Sequence, residues 1–461
     1  MLPSKTVVGR ASIELRRGDV TVALVSAVIS VVLSGLLFEA LTDRDWSVQG
    51  WEWLEVMAAA SVVMLGALWL VSLRPSPASV GRGSSESVTD DRAAARHDVR
   101  VPLAAAACAV AGVAMVAAVL GYSPWESSTW SRWDSGLYEN IARDGYQLFR
   151  CEDEPERWCG DAAWFPAYPW LFGGLHQLGL PLRGSGVTVS WLFAAGTIVL
   201  LWATFLERRT GAAAAAALFY AAFAPGQIYY YAVFPLSMLT FATLACLWLL
   251  YRERYLAAGI AGAGAALSYP VGVLLAPIAT VWLLAQRSVP LGERLRRVAI
   301  TSGPILAGIW ILMLVQRIET GHWDAFFLIE DKYRYLHGSQ NPFLATFDIV
   351  RGGVQNLGDG ITVVVALQTA FVTLVLALVL VHAFLRRRSL GRVDSLLLIW
   401  AVATWALPLT QAFSVQRGQA ALLPLAVLVA RLPARVAWPL ALTAAAIAVW
   451  LESYFLDGTL I

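Results

Sequence analysis

Long apolar runs, separated by short connections that carry arginine, dominate this chain. Stretches at 20–41, 53–72, 101–121, 186–206, 211–231, 233–250, 256–285, 298–317, 360–385, 394–413, 419–432 and 436–455 are almost free of charge. Most approach the roughly 20 residues that an α-helix needs to cross a bilayer, and 256–285 has room for two short helices. The pattern therefore predicts an all-α, polytopic membrane protein with about thirteen transmembrane helices. Arginines recur at alternating connections: Arg10, Arg16 and Arg17; the five between Arg74 and Arg100; then Arg208, Arg252, Arg287 to Arg297, Arg386 to Arg392, and Arg431 with Arg435. Under the positive-inside rule these connections and the N-terminus are cytoplasmic, in a multi-pass protein of the cell membrane. The loops 42–52, 122–185, 318–359 and 414–418 then lie outside.

Between Arg74 and Arg100 the chain is rich in Ser, Pro, Gly and charge, which predicts a flexible linker. It separates a two-span hairpin, 1–73, from a main domain, 101–461. The run beginning at Val20 is too long for the core of a cleavable signal. Gly259, Gly262 and Gly264 sit among alanines, a composition that lets membrane helices approach closely.

Composition narrows the function classes. Hydrophobic residues make up 58% and charged residues 14%, which sets the chain apart from soluble domains. A net charge of +2 gives no reason to expect nucleic-acid binding.

The polar segment most able to carry chemistry runs from Arg132 to Tyr146, followed by Trp164-Phe165-Pro166-Ala167-Tyr168-Pro169. It places a carboxylate, Asp134, beside aromatics that favour the membrane interface, which suits a substrate half lipid and half polar. Asp134, Tyr138, Ile141 and Gly145 are spaced to line one face of a helix over 134–144 that Gly145 ends. The plain alternative is that Asp134 only caps that helix. Asp144 reads as a turn acid. Asp161 is a candidate second carboxylate or metal ligand, and Glu152, Asp153, Glu154 and Glu156 could attract a divalent cation or simply be solvated. Phe165, Tyr168 and Trp170 could stack on sugar or anchor at the interface. Cys151 and Cys159 share this loop, where a disulfide, two free thiols or metal ligation are all open, the disulfide being favoured outside the membrane.

The Trp133-Asp134 pair, Ile141-Ala142, Gly145-Tyr146 and the following Phe-Pro-x-Tyr-Pro turn resemble the first luminal loop of the PIG-V-like (GPI mannosyltransferase 2) family. These are polytopic glycosyltransferases of the GT-C type. The resemblance implies a sugar, mannose above all, taken from a polyprenyl-phosphate donor to a glycolipid, glycan or protein acceptor. It makes Asp134 the catalytic base. One carboxylate is enough for such a transfer, because the phosphate leaves as a stable anion and needs no acid. Trp133, Tyr138, Tyr146, Asp161, Phe165 and Tyr168 become candidate substrate contacts. So do Lys332 and Arg334 in the loop 318–359, whose His322 and His337 are candidate acceptor contacts. No cofactor is firmly implied beyond the possible divalent cation.

Later segments resemble the family with departures. Pro235 and Leu236 stand where an acidic stretch is usual, and Tyr269 where an arginine precedes Pro270. Arg417 fits a late Ser-x2-Arg-Tyr element in which Gly418 replaces the tyrosine. An arginine there can hold a lipid phosphate with two parallel hydrogen bonds, or merely snorkel to the interface. The family's acidic loop follows its first span, whereas here it follows the third, so the hairpin 1–73 is an addition. Two rivals remain: a transporter or lipid flippase, and an inactive scaffold that kept the fold. Acids gathered at one face rather than at the bilayer midplane favour the enzyme.

Overall fold

Helix length sorts the apolar runs into two kinds. A computed structural model describes residues 100–207, 211–331, 341–386, 391–411 and 414–460. The chain opens there with α1 (Arg100–Val119), a 3-10 turn (Ser127–Trp130) and α2 (Ser135–Asp144). A small hairpin of β1 (Leu148–Arg150) and β2 (Trp158–Gly160) follows, antiparallel, with Phe149 opposite Cys159. Next come α3 (Ala167–Gln177), α4 (Leu182–Leu200) with a π turn (Leu201–Phe205), α5 (Ala212–Ala222), α6 (Ile228–Tyr231), α7 (Leu236–Tyr251) and α8 (Tyr255–Ser268). A 3-10 turn (Pro270–Leu274) leads into α9 (Leu275–Leu284), then α10 (Leu291–Thr320), α11 (Ala325–Asp331) and α12 (Pro342–Gln355). The chain closes with α13 (Gly360–Leu385), α14 (Arg392–Gln411), α15 (Val415–Ala420), α16 (Leu425–Val429) and α17 (Ala434–Leu456).

Six of these helices are long and apolar enough to cross a membrane: α1, α4 with its π turn, α10, α13, α14 and α17. Four shorter apolar helices, α5, α7, α8 and α9, complete the bundle. The expected runs 211–231 and 419–432 do not form continuous helices. Pro225 and Gly226, the glycine at φ +79°, break the first, and Pro424 breaks the second, because proline supplies no amide hydrogen and clashes with the preceding turn. The hairpin 1–73, nearly all of the linker, and the residues Lys332, Arg334 and His337 lie outside the described residues.

Small residues bring α8 against α10. A Cβ on Gly259 would lie 2.8 Å from the Ile300 and Thr301 carbonyls, and one on Gly262 would lie 2.6 Å from the Ile305 side chain. Gly264 faces open space, so it takes no part in that contact.

Charge separates the two ends of the bundle. Arg392 approaches Glu253 and the Trp282 ring, Arg297 lies over Tyr255, and Arg431 pairs with Asp394 at 3.0 Å. These groups gather where α7 ends and α14 begins. The loop carrying Asp134 lies at the opposite end of α14, beside α15.

Candidate functional site

Arg132, which precedes Asp134, fixes the entry to α2. Its guanidinium donates to the Ser128 carbonyl at 3.0 Å and to the Leu456 carbonyl at 3.3 Å, tying the loop to the end of α17. Trp133 follows with φ +51°, a left-handed backbone that a bulky residue seldom adopts, and its side chain is exposed. Asp134 occupies the N-cap position of α2, yet its side chain makes no capping hydrogen bond. Its carboxylate instead pairs with the guanidinium of Arg417 from α15. The capping role therefore does not hold.

Arg417 is only 9% exposed, which rules out snorkelling. It also donates to the hydroxyl of Ser414, itself in a left-handed backbone at φ +50°, and lies 5.9 Å from the Phe234 ring centroid. Its Nε is buried without a hydrogen-bond partner, an uncommon state for so strong a donor. Gly418 sits tightly against Pro408. A Cβ there would lie 2.4 Å from the Pro408 side chain, so α15 can seat Arg417 against α14 only with glycine next to it.

Two groups that the sequence did not single out, Glu330 at the end of α11 and Tyr229, face this pair electrostatically, as does Tyr269. Burial raises the Glu330 carboxyl to about 7, with Arg417 pulling it down and Asp134 pushing it up. Arg417 places its positive charge beside Tyr269. Tyr138 lies under the pair at 2% exposure; burial pushes its phenol well above the usual range, with Tyr269 and Asp134 adding to the shift. Only the fold brings these groups together, since they come from α2 and its N-cap, α6, the residue that follows α8, α11 and α15.

The other candidate contacts serve the walls of the site. The Tyr168 hydroxyl bonds to the Gly186 carbonyl at 2.9 Å and to Ser190 at 2.7 Å, inside the core. The Tyr146 hydroxyl donates to the Trp164 carbonyl at 2.7 Å, and its amide donates to the Glu319 carboxylate at 2.6 Å. Phe165 packs edge-on against Phe326. Asp161 is 2% exposed and accepts from the Gln147 amide at 2.7 Å; burial raises its carboxyl to about 6. Asp144 pairs with Arg143 on the surface. Cys151 and Cys159 are disulfide-bonded, closing the hairpin. Arg150 stacks 3.9 Å from the Trp158 ring centroid, and Trp158 meets His322 edge-on.

The buried Glu139 is a further residue that the sequence did not single out. It receives two bonds from Arg183, at 2.9 and 3.1 Å, and one from Ser131 at 2.7 Å, clamping α2 to α4. Among the described residues no three His, Cys, Asp or Glu side chains are grouped so as to hold a metal ion. The arrangement offers two carboxyl groups, Asp134 bound to Arg417 and Glu330 facing the pair, one buried guanidinium with a donor to spare, and an aromatic wall. No protein-family model and no characterised protein matches the chain in sequence.

Proposed function

We propose that the protein is a membrane glycosyltransferase that moves a sugar, mannose on the resemblance, from a polyprenyl-phosphate donor to a cell-envelope glycolipid, glycan or protein on the outer face. The observation that carries this reading is the pairing of Asp134 with Arg417 across 283 positions of sequence. In this reaction an acceptor hydroxyl attacks the anomeric carbon and passes its proton to Asp134. The bond from that carbon to the phosphate oxygen breaks, and polyprenyl phosphate leaves as an anion held by Arg417. The donor phosphate competes for Arg417, using its free Nε, and so releases Asp134 for proton transfer as the substrate binds.

A transporter or flippase would rest on Glu452, which is fully buried in α17 beside Gln227 and has no ion pair among the described residues. Glu452 lies near the end of α17 rather than at its middle, which favours the enzyme. The test is Asp134→Asn, which removes the base with little change in shape. Transfer of sugar from polyprenyl-phosphate mannose by the purified protein should fall by at least about a hundredfold, within the range of general-base catalysis. Unchanged transfer by a folded Asp134→Asn protein would remove the catalytic assignment.

A further inference from the structure

The helix α12 belongs to what the sequence marks as a loop outside the membrane, yet its contacts place one end of it at membrane depth. At its C-terminal end, a Cβ on Gly353 would lie 2.3 Å from that of Ala366, close to the start of α13. At its N-terminal end, the Phe343 ring lies 5.3 Å from the Trp405 ring of α14. The indole of Trp405 in turn donates to Thr373 of α13 at 2.9 Å. From Gly360 to Thr373 the helix α13 advances about 20 Å. So α12 runs antiparallel to α13 and descends beside it through about half of a spanning helix.

The side chains along α12 change in step with that descent. Its inner face is closed, with Ala345 at 0% exposure. On its outer face the deep end shows Phe343, Leu344 and Phe347, exposed by 65%, 62% and 61%. Toward the shallow end the exposed groups become Asp348, Arg351, Gln355 and Asn356, with Val354 and Leu357 among them. The neighbouring helix α13 has an exposed apolar stripe of its own, Leu367, Leu374 and Val381, recurring every seventh residue with exposures of 44%, 52% and 56%. A stripe of that kind on a helix able to span a bilayer faces lipid.

We infer that α12 is a half-inserted helix whose deep apolar face, Phe343, Leu344 and Phe347, is docked in the acyl chains of the bilayer leaflet on the Asp134 side. The occupant is hydrocarbon because α12 packs along a helix that carries its own exposed apolar stripe and because, after Asn341 caps the helix through the Phe343 amide, exposed polar side chains begin at Asp348 and gather toward the rising end. The inference stands apart from the proposed chemistry, since it concerns only depth.

The experiment uses the full chain in phosphatidylcholine–phosphatidylglycerol vesicles, with the exposed Cys108 first replaced by serine. Single cysteines at Leu344, Phe347, Arg351 and Gln355 carry a nitroxide, with Leu374→Cys as the hydrocarbon reference and Glu126→Cys as the aqueous one. All six positions are exposed, so the labels leave packing intact. Collisions with oxygen relative to a water-soluble nickel chelate should be several-fold more frequent at 344 and 347 than at 355, and close to those at 374. Equal nickel access at 344 and 355 overturns the proposal in favour of an aqueous face. Spin–spin broadening at 344 overturns it in favour of a second copy of the chain. Exclusion of both reagents there overturns it in favour of a covering protein segment.

Discussion

Asp134 and Arg417 hold each other, and this mutual hold decides what their replacement does. On the proposed reading, removing Arg417 takes away a charge-assisted contact to the donor phosphate, about 1.5–3 kcal/mol, or roughly ten- to a hundredfold in affinity. Arg417→Ala should therefore raise the donor concentration needed for half-maximal transfer by that factor. Arg417→Lys should restore only part of it, because an ammonium keeps the charge but not the fork. An unchanged donor dependence in Arg417→Ala would move the phosphate site elsewhere. Glu330 adds a pH dependence. Its folded value of about 7 lies above the ordinary 4.5, so between those limits the folded chain holds a proton that the unfolded chain releases. Its contribution to stability consequently falls as pH rises through that window. Above about 7 it becomes a second negative charge facing the Asp134–Arg417 pair and, on the proposed reading, repels an anionic donor. Donor affinity should weaken as pH passes from 6 to 8 in the native protein and stay flat in Glu330→Gln; matching profiles in the two would separate Glu330 from the site.

Short elements, more than long ones, shape the site. The helix α2 has its start tied down by Arg132, its middle clamped through Glu139 to Arg183, and its end held where Glu319 receives the Tyr146 amide. Its limits were legible: Gly145 ends it at φ +75°, a backbone that glycine adopts freely. The fit of α15 was not legible, because what excludes a side chain at Gly418 is Pro408 of another helix. Gly418→Ala forces that contact apart, at a cost of about 1–3 kcal/mol for overpacking. It should lower the thermal midpoint of the purified protein and weaken donor binding together, since Arg417 rides on the same turn. A midpoint equal to that of the native protein would show that α15 yields without cost.

At the scale of the whole molecule, the arginine-rich connections collect at one end of the bundle and the Asp134–Arg417 pair at the other. Impermeant thiol reagents applied to intact cells should modify a cysteine placed at Glu126 and spare one placed at Arg435; the reverse pattern would turn the protein over and remove the proposed donor side. The hydrophobic pattern by itself determined that the chain is helical and built for a bilayer, because apolar side chains and hydrogen-bonded backbone leave a spanning segment few alternatives. The recurring arginines determined that its two ends differ, and the residue types around Asp134 marked the segment able to bear chemistry. Proline and glycine inside apolar runs cut two expected spans into short pieces, a result that hydropathy averaged over a window conceals. Which acid meets which base is a matter of tertiary structure, since Asp134, Tyr269, Glu330 and Arg417 lie on four separate elements and are joined only by how those elements pack. The depth of α12 is likewise set by packing, because a helix apolar at one end and polar at the other has the same sequence whether it lies on a membrane or leans into it.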